Sequence, residues 1–106
     1  MSNDLNYNEK DIIKASNSLK AIAHPIRLKI LCSLGNDELS VLEIVDMVGT
    51  SQSNISQHLD ILREKEIIQS RREGNRVFCK IKDADLLILI DKMKEIFCPT
   101  LVDHSE

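Results

Sequence analysis

The chain has 106 residues, a net charge of −3 and 42% hydrophobic residues, which together indicate one small globular domain. Aromatic residues make up only 3%, so the core must be aliphatic. The polar N-terminus does not resemble a signal peptide, and the apolar run at 86–90 is too short for a membrane span. We therefore expect a cytoplasmic protein with no membrane partner, whose three cysteines do not form a structural disulfide framework.

The charge is unevenly distributed along the chain. Residues 51–82 carry a net charge of +3, whereas all other residues together carry −6. Because nucleic-acid phosphates respond to the local field, a basic segment can bind DNA although the whole protein is acidic. A homodimer would present this segment twice.

Apolar periodicity predicts three helices before the basic segment. They cover residues 9–23, 25–34 and 41–48, and Pro25 suits the first position of the second. Ser40 and Glu43 have the spacing of a capping box at the start of the third helix.

A fourth helix, capped by Ser51, indicates DNA binding. Its apolar side chains Ile55, Leu59 and Leu62 cluster on one side. The opposite side carries short polar side chains in the first two turns, which donate and accept hydrogen bonds as base edges in a major groove require. These residues are Ser53, Ser56 and Gln57, with Asn54 on their flank.

After the fourth helix the pattern changes to that of strands. Segments 67–72 and 76–81 flank the turn Glu73-Gly74-Asn75, which predicts a β-hairpin. Its basic tip can hold the phosphate backbone or minor groove beside a recognition helix, although charged side chains also commonly blunt an exposed strand edge. The basic residues are Arg71, Arg72 and Arg76.

The last predicted helix, Asp83 to Phe97, is apolar on more than one face and is ended by Pro99. A single small core cannot cover both faces, so we expect the first and last helices to form a homodimer interface. The expected organisation is a flexible arm at 1–8, a folded domain at 9–98 and a tail at 99–106 that includes His104.

The element order and the stretches LKAIAHPIRLKIL, ELSVLEI and SQSNISQHLDIL resemble the ArsR/SmtB family of bacterial repressors over about residues 10–98. The resemblance implies a mainly α fold with a small β-hairpin wing: a winged helix-turn-helix of five helices that binds double-stranded operator DNA as a homodimer. It implies DNA contacts in the fourth helix and the wing, although His58 also fits partial packing beside the apolar stripe. The implied residues are Gln52, Ser53, Ser56, Gln57, His58, Arg72 and Arg76.

Ligand positions distinguish the branches of this family. Arsenic- and cadmium-sensing members carry Cys-x-Cys where this chain has Ser40-Val41-Leu42. Zinc-sensing members carry Asp-x-His where this chain has Asp85 followed by Leu87. We therefore expect no metal site and no cofactor. The chain also lacks a Cys-x-x-Cys motif and a glycine-rich phosphate loop, so we expect no enzyme activity.

Cys32 and Cys98 are placed similarly to the dithiol of the branch typified by the BigR, SqrR and HlyU regulators. In that branch the pair forms a disulfide or polysulfide bridge, which implies that Cys32 and Cys98 sense reactive sulfur species or oxidants. Taken alone, Cys32 also fits a small buried hydrophobe and Cys79 a packing or free thiol. The alternatives are a repressor that responds to arsenite or another thiophilic metal, including a site that uses all three thiols, and a winged-helix module that binds protein.

Overall fold

The structure is a computed structural model that describes residues 7–99, so the predicted arm and tail lie largely outside the described residues. No helix within that range is long and apolar enough to cross a membrane. The described residues form eight elements in chain order: α1 (Glu9–Ile22), α2 (Pro25–Leu34), β1 (Leu39–Ser40), α3 (Val41–Val48), α4 (Gln52–Glu64), β2 (Ile68–Glu73), β3 (Arg76–Ile81) and α5 (Ala84–Phe97).

Side-chain caps start the helices where the sequence predicts. Ser40 Oγ accepts a hydrogen bond from the Glu43 amide at 3.1 Å, and Glu43 Oε1 accepts one from the Ser40 amide at 2.8 Å, which confirms the capping box. Ser51 Oγ accepts from the Asn54 amide at 3.1 Å and begins α4. Pro25 opens α2, where the helix needs no N–H donor. Each such cap contributes about 1 kcal/mol of stability.

The core is aliphatic, and α4 lies directly over it. The predicted stripe of Ile55, Leu59 and Leu62 is buried, which leaves the opposite face of α4 in solvent. The other core side chains come from α1, α2, α3, α5 and the sheet region, and include Ile22, Ile30, Leu31, Leu34, Ile44, Ile67, Ile68, Ile81 and Ile90.

The wing belongs to a three-stranded antiparallel sheet in the order β1-β3-β2. The sequence pattern does not predict β1, because two residues show no alternation and β1 pairs with β3, which is distant in sequence. The turn is tighter than predicted. Glu73 is still in β2 and pairs with Arg76, leaving Gly74-Asn75 as a two-residue loop. Gly74 has a φ of +65°, which such a loop requires.

Within residues 7–99, the other elements cover α1 and α5 only in part. α1 buries Ala21 and Ile22, and α5 buries Ile90. The prediction that the last helix is apolar on more than one face is confirmed. Both helices expose apolar residues seven positions apart, which therefore share a face. These pairs are Ile12 with Leu19 on α1 and Leu89 with Ile96 on α5.

Candidate nucleic-acid interface and thiol pair

The solvent face of α4 presents most of the predicted base-reading side chains together. Its first two turns expose Gln52, Ser53, Ser56 and Gln57. Asn54 is half-buried, and its Nδ2 donates a hydrogen bond to Thr50 Oγ1 at 3.2 Å. This hydrogen bond restrains the Asn54 amide at the helix start, so the exposed polar surface consists mainly of the other four residues.

The wing places two predicted arginines in solvent beside this face. Arg72 and Arg76 are both exposed on the hairpin. The guanidinium carbon of Arg76 lies 5.6 Å from the centroid of the Phe78 ring, within range of a cation–π interaction. The ring therefore supports the Arg76 side chain while leaving its N–H groups available to an anion.

Arg71, which the sequence places at the same basic tip, is neutralised by acids. Its guanidinium contacts both carboxylate oxygens of Glu38 at 2.9 Å and the carboxylate of Glu73 at 2.7 Å. The hydrogen bonds from Arg71 lower the pKa of the Glu38 carboxyl, which keeps this partner ionised. The free positive charge of the tip is therefore that of Arg72 and Arg76.

His58 turns toward α2 and away from the polar face of α4. Its Nδ1 lies 3.2 Å from Arg27 Nη1, and a guanidinium can only donate, so His58 accepts. The His58 ring centroid lies 4.6 Å from that of His24, whose Nδ1 accepts from the Ile26 amide. Arg27 Nε also donates to the Ala21 carbonyl, so this arginine joins α1, α2 and α4. This arrangement agrees with partial packing of His58, and sequence reasoning missed Arg27.

The Arg27 contact predicts a pH dependence of stability. Burial, together with the charges of His24 and Arg27, lowers the pKa of His58 from its usual value. Folding therefore favours the neutral ring, and this stabilisation is complete above about pH 6.5 and is lost as the pH falls below it. We expect the melting temperature of the wild-type protein to fall more between about pH 7.5 and about pH 5.5 than that of His58→Gln, as measured by circular dichroism. Equal falls in the two proteins would contradict this prediction.

Cys32 and Cys98 are 66 positions apart in the sequence and are both half-buried. Cys32 lies on α2 against the core, and Cys98 directly follows α5. Burial raises the pKa of the Cys32 thiol, with Lys94 opposing the shift and Cys98 and Asp91 adding to it. Because burial disfavours the charged thiolate, Cys32 is a neutral thiol at neutral pH.

Cys79 is shielded from solvent within the sheet. It is fully buried on β3, and its Sγ lies 3.5 Å from Ser70 Oγ. This environment agrees with a packing thiol. Within the described residues, no group of three or more His, Cys, Asp or Glu side chains could hold a metal ion.

The structure combines an exposed polar helix, a basic wing beside it and a capped helix-turn-helix. Together these features define a winged-helix DNA-binding regulator. Residues 24–70 match the family model described as "Bacterial regulatory protein, arsR family". The chain belongs to this family, and it is a transcriptional regulator and not an enzyme.

Similar proteins fall in the predicted branch. The chain is 38% identical to the "Transcriptional activator HlyU" of Vibrio cholerae over 90 residues, covering 85% of this chain and 83% of that protein. It matches the structure of "Reduced HlyU" from the same organism with a TM-score of 0.78 and 38% identity, covering 85% and 95% of the two chains. It matches the crystal structure of "the transcriptional repressor BigR" from Xylella fastidiosa with a TM-score of 0.77 and 36% identity, covering 85% and 92%. The resemblance to the BigR and HlyU regulators is confirmed.

Proposed function

We propose that this regulator binds operator DNA as a homodimer, represses transcription there, and is released when reactive sulfur species or oxidants link Cys32 to Cys98. The placement of these two half-buried thiols, Cys32 on α2 and Cys98 at the end of α5, carries the proposal. The similarity to "Reduced HlyU" from Vibrio cholerae, a relative described by its redox state, supports it.

The chemistry requires one thiolate to react first and the second thiol to close the bridge. Because burial raises the pKa of Cys32, we assign the first step to Cys98. A persulfide transfers its outer sulfur to Cys98 and leaves as a thiol, and Cys32 then displaces hydrogen sulfide to form the disulfide. With peroxide, Cys98 becomes a sulfenic acid and releases water, and Cys32 displaces a second water.

The bridge would act on DNA binding through α2. Cys32 lies on this helix, which also carries Arg27, the partner of His58 on α4. A covalent link from α2 to the residue that follows α5 changes the position of α2, and the Arg27–His58 contact passes that change to the recognition helix. Binding to two half-sites depends on the spacing of the two recognition helices, so the altered dimer releases the operator.

The homodimer supplies the second recognition helix. The exposed apolar faces of α1 and α5 support an interface at these helices, because a monomer would leave both faces in water. The two basic wings of the dimer then lie on one DNA duplex, which multiplies the affinity of each half-site contact.

A titration of operator binding separates the inducers. We expect persulfide and peroxide to release the operator from the reduced protein, with mass spectrometry showing a Cys32–Cys98 cross-link with or without added sulfur. Release by arsenite with the metalloid retained by all three cysteines would establish the thiophilic-metal alternative instead. The absence of any salt-dependent duplex binding by reduced protein would favour a protein-interaction module.

Two substitutions distinguish base reading from phosphate binding. We expect Gln57→Ala to lower the preference for operator over random duplex by about tenfold, because it removes a base-edge contact. We expect Arg76→Ala to weaken binding to both duplexes and to reduce the salt slope by about one per half-site. Fluorescence anisotropy over a salt series measures both effects. Lys29→Ala is the matched control, since Lys29 is an exposed cation of α2 outside this surface, and it should change neither quantity.

A further inference from the structure

Arg63, in the last turn of α4, connects the recognition helix to the wing. Its Nε donates a hydrogen bond to Ser70 Oγ on β2 at 2.9 Å. Its Nη1 donates to Asp60 Oδ1 on the same helix at 2.8 Å. Because the guanidinium is rigid and planar, the hydrogen bond to Asp60 orients it on α4 while the hydrogen bond to Ser70 joins it to β2.

The linker between α4 and β2 is short, and the Arg63–Ser70 contact is a further connection between these two elements. Only residues 65–67 separate α4 from β2, and Glu66 within them adopts a positive φ of 60°. Ser70 lies on β2 opposite the buried Cys79 of β3 and contacts its sulfur. Arg63 therefore contacts the wing near its base, from which the rest of the hairpin extends toward Gly74.

Arg63 also compensates an acidic charge on the recognition helix. Asp60 lies one turn after Ser56, and its side chain is 73% exposed, so its carboxylate would repel nearby phosphates. An exposed ion pair of this kind adds little to folding stability. The ion pair instead makes the surface that the recognition helix presents to DNA less negative, because Arg63 offsets the charge of Asp60.

Arg63 and Asp60 border a cleft between the helix and the wing. This cleft has a volume of about 290 Å³, and its walls include proposed DNA-contacting residues from both elements. Its lining includes Gln52, Ser56, Asp60 and Arg63 from α4 with Asn75 and Arg76 from the hairpin. The width of this cleft sets the distance between base-reading and phosphate-binding groups.

We propose that Arg63 is a positioning residue for operator specificity, which holds the wing against the recognition helix and neutralises Asp60. This inference rests on the proposed DNA surface of α4 and the wing. Arg63 acts through Ser70 and Asp60, and it does not itself bind a phosphate.

The test compares Arg63→Lys, Ser70→Ala and the double variant with the wild-type protein. The probes are a duplex selected from a random pool by the wild-type protein and a random duplex, each titrated over a salt series. We expect each single variant to lower the preference for the selected duplex by about fivefold and the double variant to be no worse, because both remove one contact. The salt slope should stay unchanged, since no phosphate contact is lost.

Two outcomes would overturn the proposal. If Arg63→Lys keeps the wild-type preference, charge alone suffices and the fixed geometry is irrelevant. If Ser70→Ala has no effect while Arg63→Ala lowers the salt slope by about one per half-site, Arg63 is a phosphate contact. Failure of the underlying DNA surface is distinguishable, because Gln57→Ala and Arg76→Ala would then also leave binding unchanged. Thermal unfolding of each variant verifies that the fold is retained.

Discussion

The Cys98→Ser variant is expected to bind operator DNA as tightly as the reduced wild-type protein and to stay bound when persulfide or peroxide is added. Cys32→Ser should behave in the same way, because a bridge needs both sulfur atoms. The physical reason is that reduced Cys32 and Cys98 are half-buried side chains, not parts of the exposed polar face of α4. Operator binding by fluorescence anisotropy, with and without the oxidant, measures the loss of response.

The remaining cysteine offers a matched control for this experiment. Cys79 is fully buried in the sheet, so Cys79→Ala should lower stability moderately while preserving release by persulfide. Two results would contradict the thiol switch. One is failure of either reduced serine variant to bind DNA, which would make that cysteine structural. The other is release of Cys98→Ser by persulfide as efficiently as release of the wild-type protein.

The Ile88→Glu variant is expected to be monomeric and to bind the operator at least a hundredfold more weakly than the wild-type protein. Ile88 lies on α5 with 58% of its surface exposed, and a dimer through this helix would bury it. A carboxylate placed in such an interface is desolvated without a partner, which costs several kcal/mol. Loss of the second half-site contact then removes the avidity of about 10²- to 10⁴-fold that two linked sites provide. Sedimentation velocity measures the oligomeric state.

A second exposed apolar residue gives the control for this substitution. Met47, on α3, is also 58% exposed but lies on neither α1 nor α5. Met47→Glu introduces the same charge at the same degree of exposure and should remain dimeric. Sedimentation of Ile88→Glu as a dimer would show that the interface lies elsewhere and would remove the proposed role of the exposed apolar faces.

The local signals in the sequence were sufficient for the order of the five helices and the hairpin and for the polar face of α4. Capping residues such as Ser40 and Ser51 act within three positions of themselves, so their effect is visible in the sequence. The stripe of Ile55, Leu59 and Leu62 sets the rotation of α4, and this rotation places Ser56 and Gln57 in solvent. The two-residue strand β1 had no such signal because its stability comes from pairing with β3.

The contacts between distant residues changed the assignment of individual charges. Arg71 and Arg76 are equivalent in sequence as basic residues of a hairpin, and both lie over the Phe78 ring, yet of the two only Arg71 is bound to Glu38, 33 positions away from it. His58 occupies a position on α4 beside Gln57 but contacts Arg27, 31 positions away. Each assignment depends on which groups the fold brings within hydrogen-bonding distance.

The sequence alone therefore determined the class of this protein: a capped, amphipathic recognition helix followed by a basic hairpin, in a member of the arsR family. Those features follow from apolar periodicity and helix capping, which depend on residues only a few positions apart and can therefore be read from the sequence. Only the tertiary structure decided which polar groups are free to meet DNA and which are bound to other parts of the protein. It also packed α2, which carries Cys32, and α5, which Cys98 directly follows, on one core, although 66 positions separate the two cysteines and no local pattern relates them.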